Sequence, residues 1–268
     1  LNRAPLQDEY EHYLDLCREL WYHNRAYFVL DKPEIEDEEY DQLFEKVKIL
    51  EENHPDWLKI QSPTQFIGEK TSGRFPTQAH LWPMLSYDKI FDKNGLFHFN
   101  EQCQKLLAKS PSYYADLKID GCAVSLWYVK GRLECGLTRG DGLVGDIITD
   151  NLKQVLGIPH TIPMEEGSCE IRGEVYMPFA ALESINEDRL KEGLEPFSNT
   201  RNCASGSLKS LDPQVIKKRQ LSFFGYFLSA PGIETIHDMT KRLKSWSVPV
   251  PIPALVGGSI DEVFSFIH

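Results

Sequence analysis

Lys118 is the residue with the most chemistry to offer, in the run Tyr114-Ala115-Asp116-Leu117-Lys118-Ile119-Asp120-Gly121. Strand alternation would place Ala115, Leu117 and Ile119 on one face and Asp116, Lys118 and Asp120 on the other, so one face reads as core and the other as a site. An amine displayed this way could attack phosphorus if deprotonated, but the flanking carboxylates favour its charged form. Something cationic must oppose them, and Arg139 or a metal ion could do so. Alone, K-x-D-G is better read as a surface strand with a salt-bridged lysine.

Further segments change those odds. Arg139 ends an apolar segment in Thr138-Arg139-Gly140-Asp141-Gly142, where glycines let backbone approach a phosphate and a guanidinium can reach it; a plain hairpin turn is the alternative. In Glu170-Ile171-Arg172-Gly173-Glu174-Val175-Tyr176, alternation sets Arg172 and Glu174 against Ile171 and Val175. Glu174 could then accept hydrogen bonds from ribose hydroxyls, or merely sit in an exposed ion pair. Asn199 to Lys209 is a run of small residues bracketed by Arg201 and Lys209; it suits close packing on a polyphosphate, or is a tight, inert helix start. In Ser222-Phe223-Phe224-Gly225-Tyr226, Phe224 and Tyr226 share a face and could form a slot for adenine, although core packing is the commoner use of such aromatics.

The elements that must hold these residues are of two kinds. From Asp8 to about His54, apolar residues Tyr13, Leu16 and Leu20, then Tyr40, Leu43, Val47 and Leu50, recur at helical spacing. Val29 to Asp37 interrupts them, with Pro33 against a continuous helix and Asp37 placed to cap the next one. Breaker-rich sequence from Asn53 to Gly68 reads as a linker. Beyond Tyr113 short alternating segments dominate (Ala123 to Val129, Leu133 to Leu137, Leu221 to Leu228), with helices expected near Phe179 to Lys191 and Asp238 to Trp246. The expected class is α+β with antiparallel sheets, divided into a helical subdomain over 1–64 and a mixed domain over 65–268.

Composition narrows the class of protein. No apolar run approaches membrane-spanning length and nothing reads as a secretory signal, so a soluble, cytoplasmic protein is expected. Six scattered cysteines form no C-x-x-C pair, which argues against a zinc site or a disulfide framework. With 40 acidic against 29 basic residues the net charge is −11, poorly suited to holding a phosphate backbone.

Taken in order, these segments resemble the adenylation region of NAD-dependent DNA ligases, from Tyr22-His23 through Pro83-Met84-Leu85-Ser86-Tyr87-Asp88 to Leu211-Asp212-Pro213. The resemblance implies a nucleotidyltransferase domain in which Lys118, with Asp120 and Gly121 in its motif, takes AMP from NAD and releases nicotinamide mononucleotide (NMN). It implies that Asp116, Ser86, Tyr87, Arg139 and Glu174 contact NAD, that Arg201 and Lys209 are cationic positions, and that Tyr226 stacks on adenine. The positive nicotinamide ring then becomes a further cation able to oppose the carboxylates.

The helical start resembles the family's NMN-gripping subdomain, in which Tyr27, Asp37, Glu38, Glu39, Tyr40 and Asp41 line the site; Asp37 and Asp41 lie four apart on one helix, with Tyr40 between them. A solvated acidic helix is the other reading of those residues. Three positions depart from the family's usual pattern: Phe28 for Tyr or His, Asp116 for Glu, and Lys209 for Arg. A divalent metal, Mg or Mn, is implied for the reaction, zinc only for a C-terminal part absent from this chain, and nicked double-stranded DNA as the partner of a monomeric, full-length enzyme. The alternatives are an ATP- or GTP-using RNA ligase or capping-type nucleotidyltransferase, and a non-catalytic NAD-binding module.

Overall fold

The computed structural model describes residues 4–28, 34–57, 62–64, 73–87, 89–197 and 199–268, and excludes the side chains of 4–7, 25, 27, 28 and 37. Two compact units emerge: Leu1–Gly73 with Ala79–Leu85 and Arg139–Gly145, and Arg74–Gln78 with Ser86–Thr138 and Asp146–His268.

In the first unit, helices α1 (Ala4–Phe28) and α2 (Asp37–Asn53) pack together. The spacing seen in the sequence is what they bury: Tyr13, Leu16 and Leu20 meet Leu43 and Val47, and Trp57 closes the cluster. Asp37 does not cap α2. Glu36 does, and its backbone N–H donates to Glu39 Oε2 at 3.4 Å. The reciprocal arrangement needs an acid three residues beyond the cap, and Glu36 has one in Glu39, whereas Asp37 would face Tyr40. Buried Glu51 accepts from Tyr13 Oη at 2.9 Å and from the hydroxyls of Ser62 and Thr64, tying that part of the linker to the hairpin. Burial, aided by Cys17 and Glu51, pushes the Tyr13 phenol upward.

Short strands β1 (Thr77–Ala79) and β5 (Val144–Asp146) pair with one another. The second unit is built on an antiparallel sheet of β3 (Cys122–Val129), β4 (Arg132–Thr138), β6 (Ser168–Tyr176) and β7 (Ser222–Ser229), in the order β4-β3-β6-β7. One face carries Val124, Leu126 and Tyr128 beside Cys169, Ile171 and Val175, all buried, and Phe223 and Leu228 extend it. Against that face pack α4 (Thr149–Leu152), α6 (Thr200–Leu208), α7 (Pro213–Arg219) and α8 (Ile236–Ser245), through Leu152, Leu208, Ile216 and Leu243. Helix α5 (Phe179–Lys191) lies against α6 and α7.

A smaller cluster joins α3 (Lys93–Leu107), β2 (Tyr113–Asp116), β8 (Ala254–Gly258) and α9 (Ile260–Ile267) around Leu96, Ile260 and Val263. Strand β2 is shorter than the sequence predicts. It ends at Asp116, opposite Ala254 where its antiparallel partner β8 begins, so Lys118 and Asp120 lie on an irregular link. Leu117 is accordingly exposed rather than in a core. Helices mixed with antiparallel sheets are the α+β class expected, although α3, α4, α7 and α9 were not anticipated and α6 is the alternative reading of 199–209.

Candidate active site

On the link between β2 and β3, the Lys118 side chain is exposed and, among the described residues, enters no ion pair. Among the described residues, then, the salt-bridged lysine is not what forms. Asp120 is held instead by Arg201, whose Nη1 donates to Oδ1 at 3.1 Å. The cation that meets this motif comes from α6, and it withdraws one carboxylate's field from Lys118. Helix α6 fixes that guanidinium's origin: Asn199 Oδ1 accepts from Asn202 N at 2.8 Å at the helix start, and Cys203 and Ala204 are sunk in the core. Asp116, the last residue of β2, still reaches solvent, but nearby protein displaces part of its water and raises its pKa above the ordinary aspartate range.

Gly121 has no room for a side chain. A Cβ there would strike the Val175 carbonyl oxygen and lie 3.1 Å from Glu174 Cγ. The glycine of the motif thus lets the link press against β6 at the level of Glu174, bringing the end of K-x-D-G to that residue.

Glu174 lies half-buried between Ala123 on β3 and Phe224 on β7, on the sheet face opposite the main core. Phe224 does not form a slot with Tyr226 alone: its ring is stacked on Tyr176, with centroids 4.9 Å apart and planes 5° apart. Sequence reasoning missed Tyr176, although alternation two residues past Glu174 put it on the same face. Tyr226 occupies a bulge, since Arg172 pairs with Phe227 and Gly173 with Gly225, leaving it as the extra residue of β7.

The small residues of 199–209 are used differently from the polyphosphate reading. They form α6, and Cys203, Ala204, Ser207 and Leu208 are buried against the rest of the unit, because a helix can approach a sheet closely only where its side chains are short. Lys209 caps the end of α6. Asn151, buried and not singled out from the sequence, holds that end by donating from Nδ2 to the carbonyls of Leu208 and Ser210, both at 2.8 Å. Ser86 and Tyr87 are in irregular, exposed chain of the same unit, Tyr87 being 84% exposed.

In the first unit Arg139 begins a tight turn. Gly142 N donates to Arg139 O at 3.0 Å, Asp141 Oδ1 accepts from the backbone of Leu143 and Val144, each at 2.9 Å, and Gly140 has φ +57°. His80 Nε2 meets Arg139 O at 3.0 Å, so the hairpin-turn reading describes the backbone. On α2, Glu38 and Glu39 are exposed and Tyr40 and Asp41 are half-buried; Tyr40 Oη donates to buried Asn24 Oδ1 at 2.6 Å, a partner the sequence reading did not name. The side chains of Tyr27, Phe28 and Asp37 lie outside the described residues. Among the described residues no group of three or more His, Cys, Asp or Glu side chains is arranged to hold a metal, and no helix is long and apolar enough to cross a membrane.

Comparison with known proteins places these features in a family. Residues 72–268 match the NAD-dependent DNA ligase adenylation domain, and residues 7–68 match the DNA ligase-like, N-terminal NAD+-binding domain. A DNA ligase of Pseudothermotoga lettingae is 41% identical over 255 residues, covering 94% of this chain and 38% of that protein. One from Acinetobacter baumannii strain SDF is 38% identical over 250 residues, covering 90% of this chain and 37% of the relative, and one from Geotalea daltonii is 40% identical over 266, with 94% and 39% covered. The chain spans less than two fifths of the length of these relatives. It belongs to the NAD-dependent DNA ligase family, matching that family's N-terminal NAD+-binding and adenylation domains.

Proposed function

We propose that this chain carries out the adenylation step: Lys118 Nζ attacks the AMP phosphorus of NAD, a phosphorus–nitrogen bond forms, the bond to the NMN phosphate breaks, and NMN leaves. The observation that carries this reading is the exposed Lys118, in no ion pair among the described residues, with Asp120 already paired to Arg201. Gly121 brings the end of the motif to Glu174, which is assigned the ribose hydroxyls, and Tyr226 is assigned the adenine ring. Ser86, Tyr87, Asp116, Arg139 and Lys209 are assigned to the rest of the adenosine and the phosphates. The helical unit, 1–64 in the sequence division, is assigned the NMN half through Tyr27, Asp37, Tyr40 and Asp41, with Glu38 and Glu39 adding negative potential near the pyridinium. The match to an NAD+-binding domain ahead of the adenylation domain favours NAD over ATP or GTP as the donor.

In the whole protein, we assign the AMP to the 5′-phosphate of a nick in double-stranded DNA, from which the 3′-hydroxyl displaces it. With 40 acidic and 29 basic residues here, most of the DNA grip is assigned to the remainder of a monomeric, cytoplasmic enzyme. Mg typically keeps several waters and is bound through one or two carboxylates plus substrate phosphates, so a divalent ion, Mg or Mn, is assigned to the nucleotide rather than to a protein cage. Zinc is assigned to no part of this chain.

Intact-mass measurement after incubation with NAD, with ATP or with neither tests the reading. One AMP added from NAD alone, and lost in Lys118→Ala, is the expected result. An adduct from ATP or on another lysine overturns the mechanism, and NAD binding without any adduct would make the chain a binding module.

A further inference from the structure

Glu170 is only 1% exposed, although its carboxylate lies on the sheet face opposite the main core. Arg172 grips it with two nitrogens, Nε to Oε1 at 2.7 Å and Nη2 to Oε2 at 3.2 Å. From the neighbouring strand Ser125 Oγ donates to Oε1 at 2.6 Å, and Trp127 Nε1 donates to Ser125 Oγ at 2.9 Å. On its other side the guanidinium lies over the Phe227 ring, 5.1 Å from the centroid. Strand β3 is thus tied to Glu170 and β7 to Arg172, through one ion pair on β6 whose planar cation is oriented by a forked contact.

Immediately beside this tie, the register of β6 on β7 shifts. Arg172 faces Phe227, but the next pair is Gly173 with Gly225, and Tyr226 is the residue left over. Facing glycines offer no cross-strand side-chain contact to define the pairing, and Gly225 N–H leaves the sheet to donate to Pro249 O at 2.8 Å. A slip of one residue would carry Tyr226 to the opposite face. One side-chain anchor next to the shift is Arg172 on Phe227. A buried ion pair is weak evidence of stabilisation, because apolar residues of like volume often do as well, so its value here lies in orientation.

We infer that the Glu170–Arg172 pair is a positioning device for the nucleotide: by holding Phe227 it fixes the bulge that presents Tyr226 on the face bearing Glu174. The inference rests on the assignment of Tyr226 to adenine stacking.

A double-mutant cycle on this chain, read by calorimetric titration with NAD and by thermal melting, tests it. Glu170→Gln with Arg172→Met removes both charges and strands neither. The expected result is an unchanged melting temperature and about a tenfold or greater rise in the NAD Kd, in line with loss of an ordered stacking contact. Tyr226→Ala should weaken NAD to the same degree, and the triple variant should bind no more weakly than Tyr226→Ala alone. Arg172→Lys keeps a charge opposite Glu170 but loses the fork and the flat stack; it should weaken NAD without lowering the melting temperature. Parent-like NAD binding by the pair variant and by Arg172→Lys, or additive losses in the triple variant, overturn the positioning role. Equal losses of stability and affinity in every Arg172 variant also overturn it, making the pair structural. Normal NAD binding by Tyr226→Ala instead overturns the stacking assignment.

Discussion

Arg201 reaches Asp120 across 81 residues of sequence, and the 3.1 Å contact between Nη1 and Oδ1 places a cation beside the lysine motif. The Asp120 side chain is 63% exposed and that of Arg201 24%, so the pair contributes at most about 1 kcal/mol to stability. Its consequence is local: a carboxylate two residues from Lys118 is engaged by something other than the lysine.

Arg201→Ala should therefore melt close to the parent while adenylation by NAD falls by about tenfold or more, a change of roughly 1.4 kcal/mol in the barrier. Melting curves and the rate of appearance of the AMP adduct check this together. A large drop in melting temperature with an unchanged adduct rate would make the contact structural.

Gly121→Ala sets a methyl group against the Val175 carbonyl, which backbone on both sides cannot easily relieve. Overpacking of this kind costs typically about 1–3 kcal/mol, and we expect a fall in melting temperature of several degrees with a loss of adenylation larger than in Arg201→Ala. A fully active, equally stable Gly121→Ala would show that the link need not approach β6 so closely.

Asp116 supplies a pH test with a definite sign. Desolvation raises its pKa in the folded state, so the folded protein holds that proton more tightly than the unfolded chain does. Relative to a group that cannot ionise, its contribution is fully present below the ordinary aspartate value of about 3.9 and is lost as pH rises through the raised folded value. Asp116→Asn should accordingly gain stability over the parent at neutral pH, and the gain should shrink as pH falls towards 4. Denaturant melts at pH 5 and pH 7 decide it; a gain that grows on acidification would contradict the assigned cause.

Asp37 and Asp41 are assigned to the NMN half, so they matter only while that half is present. In a full-length ligase carrying this chain, Asp37→Asn with Asp41→Asn should slow adenylation by about two orders of magnitude, since charge-assisted contacts are worth roughly 1.5–3 kcal/mol each. Sealing of a nick that already bears 5′-AMP should stay near normal. Equal losses in the two assays would trace the effect to folding, and no loss in either would return the two residues to a solvated helix face.

Local pattern was enough to reveal several parts of this protein. The periodicity of Tyr13, Leu16, Leu20, Leu43 and Val47 specified two helices because a helix can bury only one stripe, and those residues are the buried stripe. Alternation over 168–176 and 222–229 likewise placed Glu174 opposite Ile171 and Val175, since a strand's side chains can only take turns between faces. K-x-D-G and its companion segments identified the family without any geometry. What the sequence could not contain were relations between distant segments. That β2 ends at Asp116 depends on where β8 begins, that Arg201 rather than Arg139 meets Asp120 depends on α6 docking on the sheet, and that Phe224 stacks on Tyr176 depends on the pairing of β6 with β7. The Glu36 cap lay within reach of the sequence, for Glu39 stands three residues on. The bulge at Tyr226 did not, because two glycines facing across strands leave no mark on either strand's own pattern, and only the pairing itself decides which residue is extra.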